Sequence, residues 1–149
     1  MRALTLDEIA GALRASWAGD TCSPDDLERA PWTPGNPAWG HCDITSLVVN
    51  DFFGGRLVCG EVLTADGEPV CAHWWNLLDS GLEIDMTLEQ FLDGQRVVRC
   101  ETVERPLPYP RIRQDEYLLL RDRVAEHLGW YPELGGGDVL EDEAVQVGR

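Results

Sequence analysis

Apolar side chains recur at helical spacing in two places in the first third of the chain. The first pattern predicts a helix from the capping-box pair Thr5 and Glu8 to about Ala15. The second predicts a helix over residues 42–53, which a Gly-Gly pair ends. The stretch between them, residues 18–40, is rich in Pro, Gly, Asp and Ser and is interpreted as a long irregular segment. Residues 42–53 should therefore form the central buried helix.

The middle of the chain has the alternation and the turn residues of short strands. Four strands are predicted, at residues 56–63, 70–77, 82–86 and 96–104. Thr87 should begin a short helix before the fourth strand, and Pro106, Pro108 and Pro110 precede an amphipathic helix over residues 114–128. Helices followed by an antiparallel meander predict an α+β fold, with the central helix packed on a sheet of about four strands.

The length of 149 residues and the apolar content of 44% suit one domain with a real core. We expect this domain to span residues 1–131. Residues 132–149, with their glycine run and acidic cluster, are interpreted as an acidic, flexible C-terminal tail.

A formal net charge of −15 argues against binding to nucleic acid or to an anionic membrane, since both need a basic surface. All twelve basic residues are Arg, which excludes lysine chemistry such as Schiff-base formation and the attachment of pyridoxal phosphate. No apolar run reaches the length of a membrane span, and the N-terminus lacks a signal-peptide pattern. Five cysteines without regular spacing fit a reducing compartment. We therefore expect a cytoplasmic protein.

Three residues could form one nucleophilic site. Cys42 begins the central helix, where unpaired backbone N–H groups and the helix dipole favour a thiolate with a depressed pKa. His73 lies within the second strand and could take the proton of the thiol. Asp85 follows on the next strand and could hold the imidazole in the right tautomer. The alternative for Cys42 is a buried apolar role, for His73 a satisfied core position, and for Asp85 or Thr87 a helix cap.

Other residues are candidates for support. The backbone N–H of Cys42 could stabilise an oxyanion. Asn36, six residues upstream, resembles the position of the oxyanion glutamine of papain-like enzymes, which implies a second donor, although Asn36-Pro37 also suits a simple turn. His41 could donate to the oxyanion or compete with His73 as the base. The substrate cleft is expected to be lined by Trp39, Trp74, Trp75 and Asn76. The remaining strand cysteines, Cys59, Cys71 and Cys100, are interpreted as core residues.

The order of Cys42, then His73-Trp74-Trp75-Asn76, then Asp85-Met86-Thr87 resembles the core of transglutaminase-like and papain-like enzymes. The chain also resembles the YunG-like bacterial family between about Trp17 and Phe91. That resemblance is carried by the patterns Asn36-Pro37-Ala38-x-Gly40-x-Cys42, Asp51-x-Phe53-Gly54-Gly55, His73-x-Trp75-Asn76 and Asp85-x-Thr87-x-x-Gln90-Phe91. His41 departs from the Gln expected before the cysteine, which puts an oxyanion role at that position in doubt.

These patterns predict a cysteine-dependent enzyme that acts on an amide or an ester, by hydrolysis or by acyl transfer. No cofactor is expected, and the substrate is a small molecule, a peptide or an acyl carrier. A zinc site that includes Cys42, Cys71, His73 and Cys22 is the chemical alternative, but the spacings are not those of zinc ligands. The alternative from another class is a binding module without chemistry, which uses a Trp-rich acidic cleft. The sequence leaves the oligomeric state open.

Overall fold

The computed structural model describes residues 3–91, 94–105 and 112–133. The Pro-rich break at 106–110 and nearly all of the predicted acidic tail, residues 134–149, lie outside the described residues. The elements in chain order are α1 (Leu6–Ser16), α2 (Pro24–Arg29), α3 (Cys42–Phe53), β1 (Arg56–Leu63), β2 (Pro69–Leu77), β3 (Glu83–Ile84), a single 3₁₀ turn (Leu88–Gln90), β4 (Arg96–Val103) and α4 (Gln114–Leu128).

The predicted helices begin where their sequence signals are. The Thr5 side chain accepts a hydrogen bond of 3.1 Å from the Glu8 backbone N–H, as the capping box requires. Gly54 follows α3 with a φ of 72°, a left-handed conformation that glycine adopts without strain. Gly129 follows α4 in the left-handed helical region, with a φ of 84° and a ψ of 4°. The α+β class and the predicted bounds of α1, α3 and α4 are therefore confirmed, whereas the helix predicted after Thr87 is only the 3₁₀ turn Leu88–Gln90.

The sheet is antiparallel and has the strand order β3-β2-β1-β4 in the described part of the chain. β1 pairs with β2 along its whole length, from Arg56 opposite Leu77 to Leu63 opposite Pro69. β3 is shorter than predicted and pairs only with Asn76 and Leu77. Among the residues that the structure describes, no strand lies beyond the N-terminal half of β2 on that side, so other groups must cover this edge.

The core lies between the sheet and the helices. α3 contacts both β2 and α4, and α4 also contacts α1. The fully buried apolar side chains at the centre include Ile9, Leu13, Ile44, Val48, Val49, Leu120 and Val124. Asn76 is buried on the helix side of β2, where its Nδ2 donates a 2.8 Å hydrogen bond to the Ser46 carbonyl of α3. α3 is thus the central helix that the sequence predicts.

The stretch 18–40 is not irregular throughout, because it contains α2. Pro24 occupies the first turn of this helix, Asp25 and Asp26 follow it, and Arg29 lies in the last turn. These are favourable helix-end residues. None of its six residues is buried, so the helix has no apolar face and gives no periodic signal. Across the described ranges, no helix is long and apolar enough to cross a membrane.

Candidate functional site

Cys42 is the first residue of α3 and lies against the edge of β2 that does not pair with β3. The backbone N–H of Trp74 faces its sulfur there. α2 covers the same edge, since Arg29 Nη2 donates a 3.3 Å hydrogen bond to the carbonyl of Val70. The short β3 therefore leaves a gap at the side of the sheet in which the thiol and α2 come together.

The surroundings of the Cys42 thiol raise its pKa. Burial is the main cause that raises its pKa above the ordinary value, and the negative charge of Asp43 adds to the effect. The Trp74 N–H acts in the opposite direction but is outweighed. The prediction of a depressed pKa was wrong. Burial destabilises the thiolate more than the N-terminus of α3 stabilises it.

His73 is 1% exposed, and its Nε2 lies 2.6 Å from Asp85 Oδ2. The imidazole stacks on Trp75 with ring centroids 5.5 Å apart and meets Phe91 edge-on at 4.5 Å. The other oxygen of Asp85 accepts hydrogen bonds from the backbone N–H and hydroxyl of Thr87, at 3.1 and 3.2 Å. Asp85 is thus both the imidazole partner and the acceptor for the turn at Thr87.

Gln90 occupies the second nitrogen of His73, and sequence reasoning missed this role. Its Nε2 donates to His73 Nδ1 at 3.1 Å and to Thr87 Oγ1 at 3.3 Å. Its Oε1 accepts a 3.3 Å hydrogen bond from the backbone N–H of Gly40. The available signal was the spacing of Asp85, Thr87 and Gln90, in which Thr87-x-x-Gln90 reads as a capping box. Thr87 makes no side-chain cap bond, however, and its hydroxyl faces Asp85 and Gln90 instead.

A pocket brings these residues together. Its lining includes Cys42, His73 and Gln90, with Trp39 and Phe91 as aromatic walls. Asp26 and Arg29 of α2 line the same pocket and form an ion pair of 2.5 Å. Burial raises the pKa of Asp26, although Arg29 opposes the shift. The lining of the pocket therefore combines aromatic side chains with a thiol, an imidazole, an amide and an ion pair.

His41 and Asn36 lie away from these groups. His41 is fully buried, its Nδ1 donates to the Trp39 carbonyl at 2.8 Å, and its Nε2 lies 2.7 Å from the Thr21 hydroxyl. Both ring nitrogens are thus engaged in the loop before α3, and burial lowers the pKa of His41 to about 4. Asn36 lies in a turn, with backbone hydrogen bonds to Thr33 and Trp39, and the pocket lining does not include it. This geometry gives both residues structural positions and favours the turn alternative for Asn36.

The predicted cleft residues divide between the two faces of β2. Trp39 lines the pocket, and its Nε1 donates to the Ala30 carbonyl at 3.1 Å. Trp75 supports the imidazole from behind and donates to Glu83 Oε1 at 2.8 Å. Trp74 packs against the core on the opposite face, as Asn76 does. Of the four, Trp39 alone is part of the pocket lining in the described structure, while strand alternation turns Trp74 and Asn76 toward α3.

The other strand cysteines are not core residues. Cys71 lines the pocket beside Cys42, Cys59 is half-buried, and Cys100 is exposed. All five cysteines are free thiols. Among the described residues, no three His, Cys, Asp or Glu side chains are grouped as metal ligands.

The chain belongs to the YunG protein family, because the family model matches residues 5–129. It is similar to the protein described as uncharacterized protein YunG from Bacillus subtilis (strain 168). The two are 25% identical over 126 residues, which cover 83% of this chain and 87% of the relative. No solved structure matches the chain.

Proposed function

We propose that the chain is a thiol-dependent enzyme that hydrolyses an amide or ester or transfers its acyl group. Cys42 is the nucleophile, His73 is the general base and then the general acid, and Asp85 orients the imidazole. The observation that carries the proposal is the 2.6 Å pair of His73 Nε2 and Asp85 Oδ2, in a pocket that Cys42 also lines. Such a pair fixes the Nε2–H tautomer and leaves Nδ1 as the basic nitrogen.

The reaction needs one proton transfer for each bond change. His73 Nδ1 takes the thiol proton as Cys42 Sγ bonds to the carbonyl carbon. The oxyanion forms next to the N-terminus of α3, where the Cys42 backbone N–H is a suitable donor. The carbonyl re-forms as the amine or alcohol leaves with the proton from His73, and a thioester remains. Water or an amine then attacks this thioester while His73 accepts its proton, the C–S bond breaks to release the acid or the new amide, and His73 returns the proton to Cys42 Sγ.

The raised pKa of Cys42 fits this scheme. A thiol that stays protonated at rest resists oxidation and adventitious alkylation. The proton must then leave in concert with attack on the substrate, so the base has to be built into the site. His73, held by Asp85 and supported by Trp75, meets that requirement.

The proposed order of nucleophile, base and acid resembles that of transglutaminase-like and papain-like cores, although no solved structure matches the chain. In both, a cysteine at a helix N-terminus precedes strands that supply the imidazole and its acidic partner. The substrate is a small molecule, a peptide or an acyl carrier, and a net charge of −15 favours a neutral or cationic group near the site. Free thiols throughout the chain are consistent with a reducing compartment such as the cytoplasm.

Acylation by p-nitrophenyl acetate, an activated ester, tests the proposal without knowledge of the substrate. The protein is mixed with the ester, digested, and searched by mass spectrometry for an acetyl thioester on each cysteine. We expect acetyl transfer to Cys42 with release of p-nitrophenol, and its loss in Cys42→Ala. Cys71→Ser is the matched control in the same pocket, and it should retain the release of p-nitrophenol that accompanies acetylation of Cys42. Acetylation confined to the exposed Cys100 would contradict the proposal.

Binding of a small cation without chemistry is the second candidate function. Asp26 and the aromatic ring of Trp39 line the pocket together, which is a suitable combination for a desolvated ammonium group. Titration with a series of amines, followed by Trp fluorescence, distinguishes the two functions. Pure binding requires Asp26 and is unaffected by Cys42→Ala, whereas the acyl-transfer proposal requires Cys42.

A further inference from the structure

Gln90 is 7% exposed, and its side-chain amide has partners at both ends. The Gly40 backbone N–H can only donate, so the amide oxygen of Gln90 must face it at 3.3 Å. The amide nitrogen must then face His73 Nδ1 at 3.1 Å. Since His73 Nε2–H donates to Asp85, Nδ1 carries the lone pair and accepts from Gln90. The network from Asp85 to Gly40 therefore has a single consistent orientation.

This orientation hinders the proton transfer from Cys42 to His73. Nδ1 is the nitrogen that must receive the proton of Cys42, and Gln90 already occupies its lone pair. Gln90 also connects His73 to Gly40, two residues before the nucleophile. The amide is thus placed between the base and the loop that carries the thiol.

We propose that Gln90 is a positioning residue that caps the basic nitrogen of His73 in the resting protein and must turn away before Cys42 can transfer its proton. The inference rests on the proposed function, since a cap matters only if His73 is the base. Substrate that enters the pocket competes for the amide of Gln90, so the thiol becomes reactive when a carbonyl compound is present. While Gln90 caps Nδ1, His73 does not accept the proton of Cys42, so the thiol stays protonated between turnovers.

Several charged or titratable groups also face Cys42 and His73. Asp85 and Asp43 lie beside His73 and Cys42, Asp26 and Arg29 approach from α2, and Cys71 lies on β2. None of them is changed by a substitution at Gln90. A comparison between variants at that position therefore isolates the effect of the cap from the field of these groups.

The test measures alkylation of Cys42 by iodoacetamide as a function of pH, with peptide mass spectrometry to separate the five cysteines. Gln90→Met keeps the length of the side chain but does not donate to Nδ1. We expect the midpoint of the Cys42 profile to fall by roughly half to one pH unit and the rate at neutral pH to rise about three- to tenfold, the equivalent of one hydrogen bond. Gln114→Met, at the exposed start of α4, is the matched control and should leave the profile unchanged.

The gain must depend on the imidazole. In His73→Asn, adding Gln90→Met should give no increase, because there is no base to release. An equal increase with and without His73 would mean that the substitution merely opens the pocket, and it would overturn the inference. If Gln90→Met does not fold, Gln90→Ala removes the same donor and is read in the same way.

The failures of the two proposals are distinguishable. If Gln90→Met leaves the Cys42 profile unchanged while p-nitrophenyl acetate still acylates Cys42, the cap is wrong and the proposed function stands. If Cys42 is not acylated in the native chain either, the proposed function fails, and the inference fails with it.

Discussion

His73 Nε2 and Asp85 Oδ2 are 2.6 Å apart across two segments that are joined by a single turn and the short strand β3. Thr87 holds the second oxygen of the carboxylate through its backbone N–H and its hydroxyl. A carboxylate held in this way has one oxygen left to fix the imidazole. The relationship makes Asp85 the residue through which the tautomer of His73 is best tested.

Asp85→Asn should lower the rate constant of Cys42 acylation by about 10³-fold or more, because an amide N–H facing Nε2 favours the wrong tautomer. The fold should remain, since the Asn oxygen still accepts from the Thr87 N–H. Stopped-flow measurement of p-nitrophenol release gives the rate constant. Glu83→Gln is the matched acid-to-amide control on the neighbouring strand and should have little effect. Equal rates in Asp85→Asn and the native chain would remove Asp85 from the mechanism.

The sequence predicted the elements well because their signals are local. The capping box at Thr5, the Asp-Gly turn and the glycine after α3 each fix a boundary within a few residues. The pairing of His73 with Asp85 was also predictable, because only a short connection separates them. The element boundaries and the pairing of His73 with Asp85 thus depend on residues that are close together in the sequence.

The sequence did not predict the features that depend on tertiary burial. The pKa of Cys42 rises because the surrounding protein desolvates the thiolate and the negative charge of Asp43 repels it, and the burial cannot be read from a local pattern. Gln90 has a capping-box spacing, but its amide joins His73 to Gly40, which lies 50 residues away in sequence. The structural roles of His41 and Asn76 have the same origin, since each has a hydrogen-bond partner 20 or more residues away in sequence, Thr21 for His41 and Ser46 for Asn76.

His41 should make the stability of the protein depend on pH. Its pKa in the folded chain is about 4, below the ordinary value of 6.5, because burial disfavours the charged imidazole. The unfolded chain therefore binds more protons between these two values, and stability is lost as the pH falls from about 6.5 toward 4. The shift is equivalent to about 3 kcal/mol. Urea unfolding followed across this range measures the loss.

His41→Gln is the comparison that isolates this residue. Its amide oxygen accepts from the Thr21 hydroxyl in place of Nε2 and does not titrate. The free energy of unfolding of the variant should lose the part of the slope that His41 contributes, while the part from the many carboxylates remains. A slope identical in the two proteins would show that His41 titrates alike in the folded and unfolded chains.

Asp51 should be the most sensitive polar residue of the core. Its carboxylate is fully buried and pairs with Arg105, while the hydroxyls of Tyr117 and Tyr131 donate to Oδ2 at 2.6 and 2.5 Å. Asp51→Asn leaves the buried guanidinium without its counter-charge, so the free energy of unfolding should fall by about 3–5 kcal/mol. Chemical denaturation measures the change.

Asp122→Asn is the matched control for Asp51. This aspartate is exposed on α4 and pairs with Arg121 at 3.7 Å, so its substitution should change stability by less than about 1 kcal/mol. Similar losses in the two variants would show that the Asp51 network does not stabilise the fold as its burial indicates.

Gly60 leaves room for the ring that supports His73. A Cβ at this position would lie 2.4 Å from Val97 Cγ1 and 3.0 Å from the Trp75 ring. Gly60→Ala should therefore displace Trp75, change its fluorescence, and destabilise the protein by about 1–3 kcal/mol. Gly11→Ala in α1 has nothing within 4 Å of the added methyl group and should instead stabilise by about 0.5–1 kcal/mol. Destabilisation of the same size at both positions would contradict this packing argument.

The dependence of Cys42 acylation on His73 tests the central claim most directly. The rate constant for transfer of the acetyl group of p-nitrophenyl acetate to Cys42 is compared between the native chain and His73→Asn, with labelling of the exposed Cys100 as the internal reference. If His73 is the general base, the rate constant at Cys42 falls by about 10²–10⁴-fold and that at Cys100 does not change. If Cys42 is acylated equally fast in both proteins, the thiol reacts without the imidazole and the account is wrong.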